Sequence, residues 1–253
     1  MMKKNRFTYA SREADESWVN FIESIVEVKG KEVLDIGCGG GIYSKQFAMM
    51  GAKHVTGIDF SLESLRGAKV NCADLHNVSF QKGDALQTGL ASDSFDIVLE
   101  RAVIHHLKDL SANASEIYRV LRKGGLCIIQ DRTPEDCFLT GSEKHIRGYF
   151  FEYFPRLKKT EEVRRHKSEG VKEALSQAGF QDVQEHQLWE IRKIYDSKEA
   201  LLKEILARTG RSILHELSDS ELQDLAHYIS QKLENNRDKI FEQDRWTIWT
   251  AVK

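Results

Sequence analysis

Residues 33–41 read Val-Leu-Asp-Ile-Gly-Cys-Gly-Gly-Gly, and Asp59 closes the next apolar run. A buried strand that ends in a glycine turn and leads into a helix brings backbone N–H groups to one point. A carboxylate at the tip of a second strand then faces that point. This is the layout of a nucleoside-binding β-α-β unit. The glycine spacing narrows the nucleoside. The dinucleotide pattern GxGxxG counted from Gly37 needs a glycine at 42, and the chain has Ile42; Gly37, Gly39 and Gly41 instead give GxGxG. No P-loop Gly-Lys-Ser/Thr follows, which excludes a nucleoside triphosphate held in that manner. Asp35, just before the turn, would repel a pyrophosphate but suits an ammonium, directly or through water. A cationic, phosphate-free nucleoside fits best, and S-adenosylmethionine is such a ligand. Asp59 is expected to accept both ribose hydroxyls, because a carboxylate can receive two parallel O–H bonds.

Other groups collect where open α/β sheets bind ligands, at the carboxyl ends of the strands. Glu100 and Arg101 end the fourth apolar run. Arg101 can meet the carboxylate of a methionine moiety, Asp35, or a substrate, or form a structural ion pair. Glu100 is a candidate catalytic group. His105 and His106 are adjacent, so on a helix they diverge by about a quarter turn. His105 is the better candidate to face a pocket as a base; a satisfied helix histidine is the alternative. Asp131 ends the fifth run as a second candidate base or as an ion-pair partner of Arg132. Phe60 follows the ribose carboxylate and can stack on an adenine edge or pack in the core.

These groups need a frame of alternating strands and helices. The pattern predicts an amphipathic helix over Ser11–Val26, then strands at Val33–Ile36, His54–Ile58, Val78–Gln81, Phe95–Leu99 and Leu126–Gln130. Helices are expected over Ile42–Met50, Leu62–Leu75 (capped by Ser61) and Ser111–Arg122, the last stopped by Gly124-Gly125. This rhythm implies a doubly wound α/β fold, mainly a parallel sheet with helices on both faces. After Asp131 it breaks. Residues 133–162 hold both prolines and an aromatic cluster of Phe138, Tyr149, Phe150, Phe151, Tyr153 and Phe154, readable as an acceptor pocket or as core. A helix near Arg164–Ala178, strand-like content at Phe180–Tyr195, helices at Ser197–Arg208 and Ser218–Asn235, and a strand at Arg245–Val252 complete the chain. Thr209-Gly-Arg211-Ser212 between the two late helices can clamp an anion or form a turn.

The 253 residues suit one domain with additions, and 41% are hydrophobic, enough for a substantial core. Lys plus Arg number 37 against 39 Asp plus Glu, a net charge of −2, so no general nucleic-acid surface is advertised and DNA is not expected as a partner. The basic run at 156–167 is interrupted by Glu161-Glu162 and reads as a solvated face; an RNA contact is the weaker reading. The four cysteines form no CxxC pair, which argues against a structural metal and for a reducing compartment. The N-terminus lacks the apolar run of a signal peptide, and no stretch is long enough to span a bilayer. A cytoplasmic monomer or homodimer is expected.

Taken together, the glycine stretch resembles motif I of the class I S-adenosylmethionine-dependent methyltransferases. Gly57-Ile58-Asp59-Phe60-Ser61 resembles their ribose-binding strand end, Gly83-Asp84-Ala85 the loop that meets adenine, Phe95–Leu99 the fourth strand, and Arg119–Gly125 the helix and turn before the fifth. Arg101–Leu107 is similar to the small-molecule branch that includes the quinone-biosynthesis C-methyltransferases. The resemblance covers about residues 30–132. It implies a Rossmann-like, seven-stranded sheet with an antiparallel edge pair, here with an inserted helical cap near 133–162 and 197–240 in one methyltransferase domain, residues 1–253. It implies cofactor contacts from Asp35, Gly37, Cys38, Gly39, Asp59, Phe60, Asp84, Ala85 and Arg101, with S-adenosylhomocysteine as product and no metal. Asp84 would accept from the adenine amino group and the Ala85 amide would meet a ring nitrogen. The expected reaction is in-line methyl transfer to a small-molecule acceptor at oxygen, nitrogen or carbon. RNA methylation and a non-catalytic cofactor-binding module are the alternatives, and Ile42 disfavours a nicotinamide oxidoreductase. Glu100-Arg101-Ala102-Val103 stands where adenine or glutamine amino-methylation would want Asn/Asp-Pro-Pro-Tyr, and no Pro-Cys nucleophile for cytosine C5 chemistry follows the fourth strand.

Overall fold

The computed structural model describes residues 13–234 and 238–253. The expected helix ends at Ser11 and Asn235 lie outside the described residues. Seven strands form one sheet in the order β3-β2-β1-β4-β5-β7-β6. They are β1 (Glu32–Ile36), β2 (His54–Asp59), β3 (Val78–Lys82), β4 (Phe95–Arg101), β5 (Leu121–Asp131), β6 (Gln181–Tyr195) and β7 (Ile240–Val252). The first five are parallel and in register, with Ile36 beside both Ile58 and Glu100. β7 runs antiparallel to β5, from Leu126↔Val252 to Asp131↔Thr247. The doubly wound, mainly parallel sheet with an antiparallel edge is therefore present.

The chain divides into two compact units. The first holds residues up to Asp131, Lys167–Leu188 and Thr247–Lys253. Its helices are α1 (Glu16–Ile25), α2 (Ile42–Met49), α3 (Leu62–Asn71), α4 (Leu110–Val120) and α8 (Ser168–Ala178). Because side chains alternate along a strand, each buried strand feeds two cores. Leu34, Ile36, Val98, Cys127 and Ile129 pack with Ile117 and Val120 of α4 and Val171 and Leu175 of α8. Val33, Val55, Ile97, Leu99 and Ile128 pack with Trp18 and Ile22 of α1 and Phe47 of α2. The buried Trp18 indole donates to Gln130 Oε1 at 2.9 Å, so the polar residue on that face is satisfied.

The second unit, Arg132–His166 and Trp189–Trp246, holds α5 (Pro134–Cys137), α6 (Ile146–Tyr153), α7 (Leu157–Arg164), α9 (Lys198–Leu206) and α10 (Asp219–Lys232). Capping boxes start α5 at Thr133/Asp136 and α10 at Ser218/Glu221. Phe150, Phe151, Leu201, Ile205, Leu214, Leu225 and Ile229 form its core.

Several boundaries differ from the sequence expectation. β5 begins at Leu121, not Leu126: Gly124-Gly125 lies within the strand, beside a register shift between Phe95 and Ile97, rather than ending a helix. The helix expected over Arg164–Ala178 is present but starts at Ser168, because Arg164 ends α7 and Arg165 is extended (φ −113°, ψ 142°). β7 starts at Ile240, five residues earlier than Arg245.

Candidate active site

The glycine turn sits at the end of β1, with Gly37, Gly39 and Gly41 all at positive φ (69°, 53° and 77°). A Cβ on Gly37 would lie 2.2 Å from Val103 Cγ2, so only glycine lets this turn approach the segment after β4. A Cβ on Gly39 would meet nothing nearer than the Gly37 carbonyl at 4.0 Å. The turn is thus packed tightly beneath and open at its crest, which suits close approach of a ligand to its backbone. The Gly39 N–H donates to Asp59 Oδ2 at 2.9 Å and the Ser61 N–H to Asp59 Oδ1 at 2.8 Å. Each carboxylate oxygen keeps a second lone pair, so Asp59 locks the turn to the tip of β2 and still has acceptor capacity for two hydroxyls.

Asp35 is buried and accepts the Ser44 hydroxyl at 2.6 Å from the first turn of α2. Burial pushes its carboxyl up to about 7, against the pull of the Ser44 side-chain and backbone donors. The Cys38 thiol is pushed up by burial and stays protonated. The Arg101 guanidinium lies 4.4 Å over the Tyr43 ring. Phe60 is 77% exposed and takes no part in the core. The 83–85 loop follows β3 and is tied to the β2 tip, where the Gly83 N–H donates to the Asp59 carbonyl at 3.2 Å. Asp84 is exposed, and its Oδ1 accepts the Leu86 N–H at 2.8 Å, a local turn bond.

At the ends of β4 and β5 the sequence candidates meet. His105 and His106 lie on a 3-10 turn (Ile104–His106), where their rings stack tilted at 4.0 Å rather than diverging as on an α-helix. His105 Nδ1 is 2.8 Å from Asp131 Oδ2, and its backbone N–H donates to the same oxygen at 3.3 Å. Glu100 is buried, and burial pushes its carboxyl up to about 8. Its Oε1 accepts from Asn113 Nδ2 at 3.1 Å, and that nitrogen also reaches the Ala85 carbonyl at 3.3 Å.

Asn113 and Ser44 were missed from sequence. The available signal was position: Asn113 falls four residues before Ile117 on the inward stripe of a helix, where an apolar side chain is expected.

Other candidates are absorbed into structure. Of the 149–154 aromatics, Tyr149, Phe150 and Phe151 are core of the second unit and Phe154 packs against it, while Tyr153 is exposed. Arg211 does clamp carboxylates, but internal ones, Glu204 at 3.0 Å and Glu242 at 2.7 Å. In the basic run, Arg156 bonds Glu221, Arg164 bonds Glu161 and Ser212, and Arg165 bonds Glu161. Among the described residues no group of three or more His, Cys, Asp or Glu could hold a metal, and no helix is long and apolar enough to cross a membrane.

A sheet of this order, with a glycine turn after β1 pinned to a carboxylate at the tip of β2, is the class I methyltransferase architecture. The comparisons with known proteins point the same way. Residues 34–129 match the family model described as a methyltransferase domain. A ubiquinone biosynthesis O-methyltransferase of Rhizobium leguminosarum bv. trifolii is 34% identical over 125 residues, 49% of this chain and 49% of the relative. A demethylmenaquinone methyltransferase of Listeria welshimeri is 36% identical over 127 residues, 48% and 52% of the two chains. These matches thus span about half the length of the curated relatives. A Haemonchus contortus phosphoethanolamine N-methyltransferase 2, solved with phosphomonomethylethanolamine and S-adenosylhomocysteine, superposes with a TM-score of 0.57 at 25% identity, over 94% of this chain and 52% of that one. Over residues 34–129 the chain is thus similar to a methyltransferase domain, and its fold is that of the solved methyltransferases it superposes on.

Proposed function

We propose that this chain methylates a small molecule through an ionisable hydroxyl, phenolic or enolic, with His105 as general base and Asp131 as its positioning partner. When bound, S-adenosylmethionine supplies an electrophilic methyl on a sulfonium. The chain's residues then have three tasks: to hold that donor, to hold the acceptor in line, and to remove the acceptor's proton. Asp59 would take the ribose hydroxyls, the Gly37–Gly39 backbone and Asp35 the amino-acid end, and Asp84, Ala85 and Phe60 the adenine. Arg101 would carry charge near the amino-acid end, and Cys38 contributes through the backbone of the turn.

The observation that carries the acceptor assignment is the 2.8 Å contact between His105 Nδ1 and the buried Asp131 carboxylate. A carboxylate at Nδ1 selects the tautomer with the proton on that nitrogen. It leaves Nε2 as the basic atom and stabilises the imidazolium that forms when Nε2 takes a proton. Such a base serves an O–H acceptor, whose oxygen is a poor nucleophile until it ionises. The same ionisation activates a ring carbon next to the hydroxyl, so both the O-methyltransferase and the demethylmenaquinone relatives are compatible with it. The engagement of Arg156, Arg164 and Arg165 with carboxylates favours a small acceptor over RNA.

The test is turnover on a panel of hydroxylated aromatic acceptors, with His105→Gln and Asp131→Asn beside wild type. Removing the base should lower kcat by about 10²–10⁴-fold, with S-adenosylhomocysteine affinity unchanged. Asp131→Asn should fall with it, because the amide favours the wrong tautomer. Full turnover in His105→Gln would overturn the base assignment, and cofactor binding without turnover on any acceptor would favour the silent-binder reading.

A further inference from the structure

We infer that Glu100 and Asn113 are positioning residues for the adenine end of the cofactor site, acting through the backbone of the 83–88 loop. This rests on reading that loop as the adenine-contacting one.

Three observations converge. First, Asn113 on α4 is buried, and its one Nδ2 group bridges Glu100 Oε1 and the Ala85 carbonyl. A carbonyl can only accept, so the amide's NH₂ must face it, and its second N–H is then fixed on Glu100. Second, the same helix holds the loop one turn further along. Glu116 Oε1 accepts both the Thr88 N–H at 2.7 Å and the Thr88 hydroxyl at 2.5 Å, and Arg119 braces that carboxylate at 2.8 Å. The loop is therefore tied to α4 at residues 85 and 88, while residue 83 is tied to the Asp59 strand tip. Third, Glu100 lies at the end of β4 beside Ile36, the residue before the glycine turn, and its Oε2 is buried with no hydrogen-bond partner among the described residues.

A buried carboxyl in that setting is neutral. Burial raises it and the Asp131 charge on β5 adds to the rise. Among the described residues Asn113 from α4 is the one hydrogen-bond partner of its side chain, Glu116 on that helix being turned to Thr88 and Arg119. From β5 it faces Asp131, itself engaged by His105 of the 3-10 turn, and Cys127, whose thiol is held protonated by burial. β1 places the apolar Ile36 beside it in the register. With Oε1 accepting from Asn113, the proton sits on Oε2. Glu100 thus works as an uncharged acceptor for Asn113, and ionising it places a second negative charge next to Asp131 in a dry setting. The bond that connects Glu100 to anything else is the one to Asn113, so its ionisation is felt at the Ala85–Thr88 amides.

Two measurements decide this. In ¹⁵N-labelled wild type, the amides of Ala85–Thr88 should titrate together with a midpoint near 8. In Glu100→Gln that titration should vanish while the shifts at pH 6.5 stay close to wild type. By calorimetry, Asn113→Ala and Glu100→Ala should weaken S-adenosylhomocysteine binding roughly tenfold. Glu100→Gln, which keeps an acceptor for Asn113, should stay within about twofold of wild type on the same grounds. Loop amides that do not titrate in wild type, or Asn113→Ala protein that is folded and binds S-adenosylhomocysteine as wild type does, would overturn the inference. Wild type that fails to bind S-adenosylhomocysteine would instead sink the cofactor reading, and the amide titration would still report whether Glu100 and Asn113 hold the loop.

Discussion

In the first unit Asp35 and Glu100 are buried on neutral partners, Ser44 and Asn113, and burial lifts their carboxyls to about 7 and about 8. In the second unit Glu161 and Asp244 are buried against arginines, Glu204 is partly buried among Lys193, Tyr195, Arg211 and Arg192, and each carboxyl is held below its usual range, Glu204 at about 2. Both units are desolvated, so the difference lies in the partner. Guanidiniums outweigh the burial cost in the second unit and fix its helices to one another. In the first, the cost stands and falls on groups at the ends of β1 and β4, where a ligand would meet them. Uncompensated burial of this kind is a mark of function more than of scaffolding.

The largest expected effect tests the scaffolding side. Glu161 is fully buried and serves Arg164 and Arg165 at 2.6 Å and Arg147 at 3.8 Å. Removing one member of a buried ion cluster typically costs ~3–5 kcal/mol, since the charges left behind stay desolvated. Glu161→Ala should lose that much stability in urea titration. Residue-resolved hydrogen exchange should find the loss in 132–166 and 189–246, with S-adenosylhomocysteine affinity retained. An equal loss of protection in β1–β4 would mean that the two units do not divide their labour in this way.

The two units also differ in how much of them the sequence disclosed. The strands, glycine turn and helices of the first were legible because their signals are local: an apolar run, Gly37 and Gly39 at positive φ, Ser61 as a cap accepting from Ser64. Asp35, Asp59, Glu100 and Asp131 could be placed at strand ends by counting. Their partners could not. His105 and Asp131 are 26 residues apart, and only the parallel register of β4 and β5 joins them. Asn113 looked like any polar helix residue until its stripe was counted. In the second unit the two late helices and the last strand are legible locally, but their mutual order comes from pairs such as Arg147–Asp244, 97 residues apart, which no local pattern announces. Even where a local pattern existed, as at Gly124-Gly125, it pointed to a helix stop that the strand pairing of Leu121 with Phe95 overrides.

A pH series sharpens the comparison further. Asp35 and Glu100 have raised folded values, so their contribution to stability is fully present below about pH 4 and is lost as the pH rises through 7 to 8. Each acts with a slope of up to about 1.4 kcal/mol per pH unit in that window. Glu204, Glu161 and Asp244 have lowered values, so their contribution is present above about pH 4 and is lost as the pH falls toward 2. Hydrogen exchange corrected for intrinsic rates should therefore show the first unit most protected near pH 5 and the second failing first in acid. Combining Asp35→Asn with Glu100→Gln should flatten the first unit's slope between pH 5 and 8 and leave the second unit's acid limb alone. A common slope in both units would erase the distinction.

The smallest effect separates two side chains that look alike by exposure. Phe60 after β2 is 77% exposed and Val163 on α7 is 83% exposed. Neither has core contacts to lose, so alanine at either position should leave stability within about 0.5 kcal/mol of wild type. They differ in what stands beside them. Phe60 follows the carboxylate that pins the glycine turn, while Val163 lies between Glu162 and Arg164 on a helix surface. An exposed aromatic next to a nucleoside site has a stacking role open to it, and one face-to-face or edge contact is worth ~0.5–1.5 kcal/mol. Phe60→Ala should accordingly weaken S-adenosylhomocysteine by about two- to tenfold, and Val163→Ala should not change it. Equal behaviour of the two variants would remove Phe60 from the adenine contacts and leave that end of the ligand to the backbone of Ala85 and the loop that α4 holds.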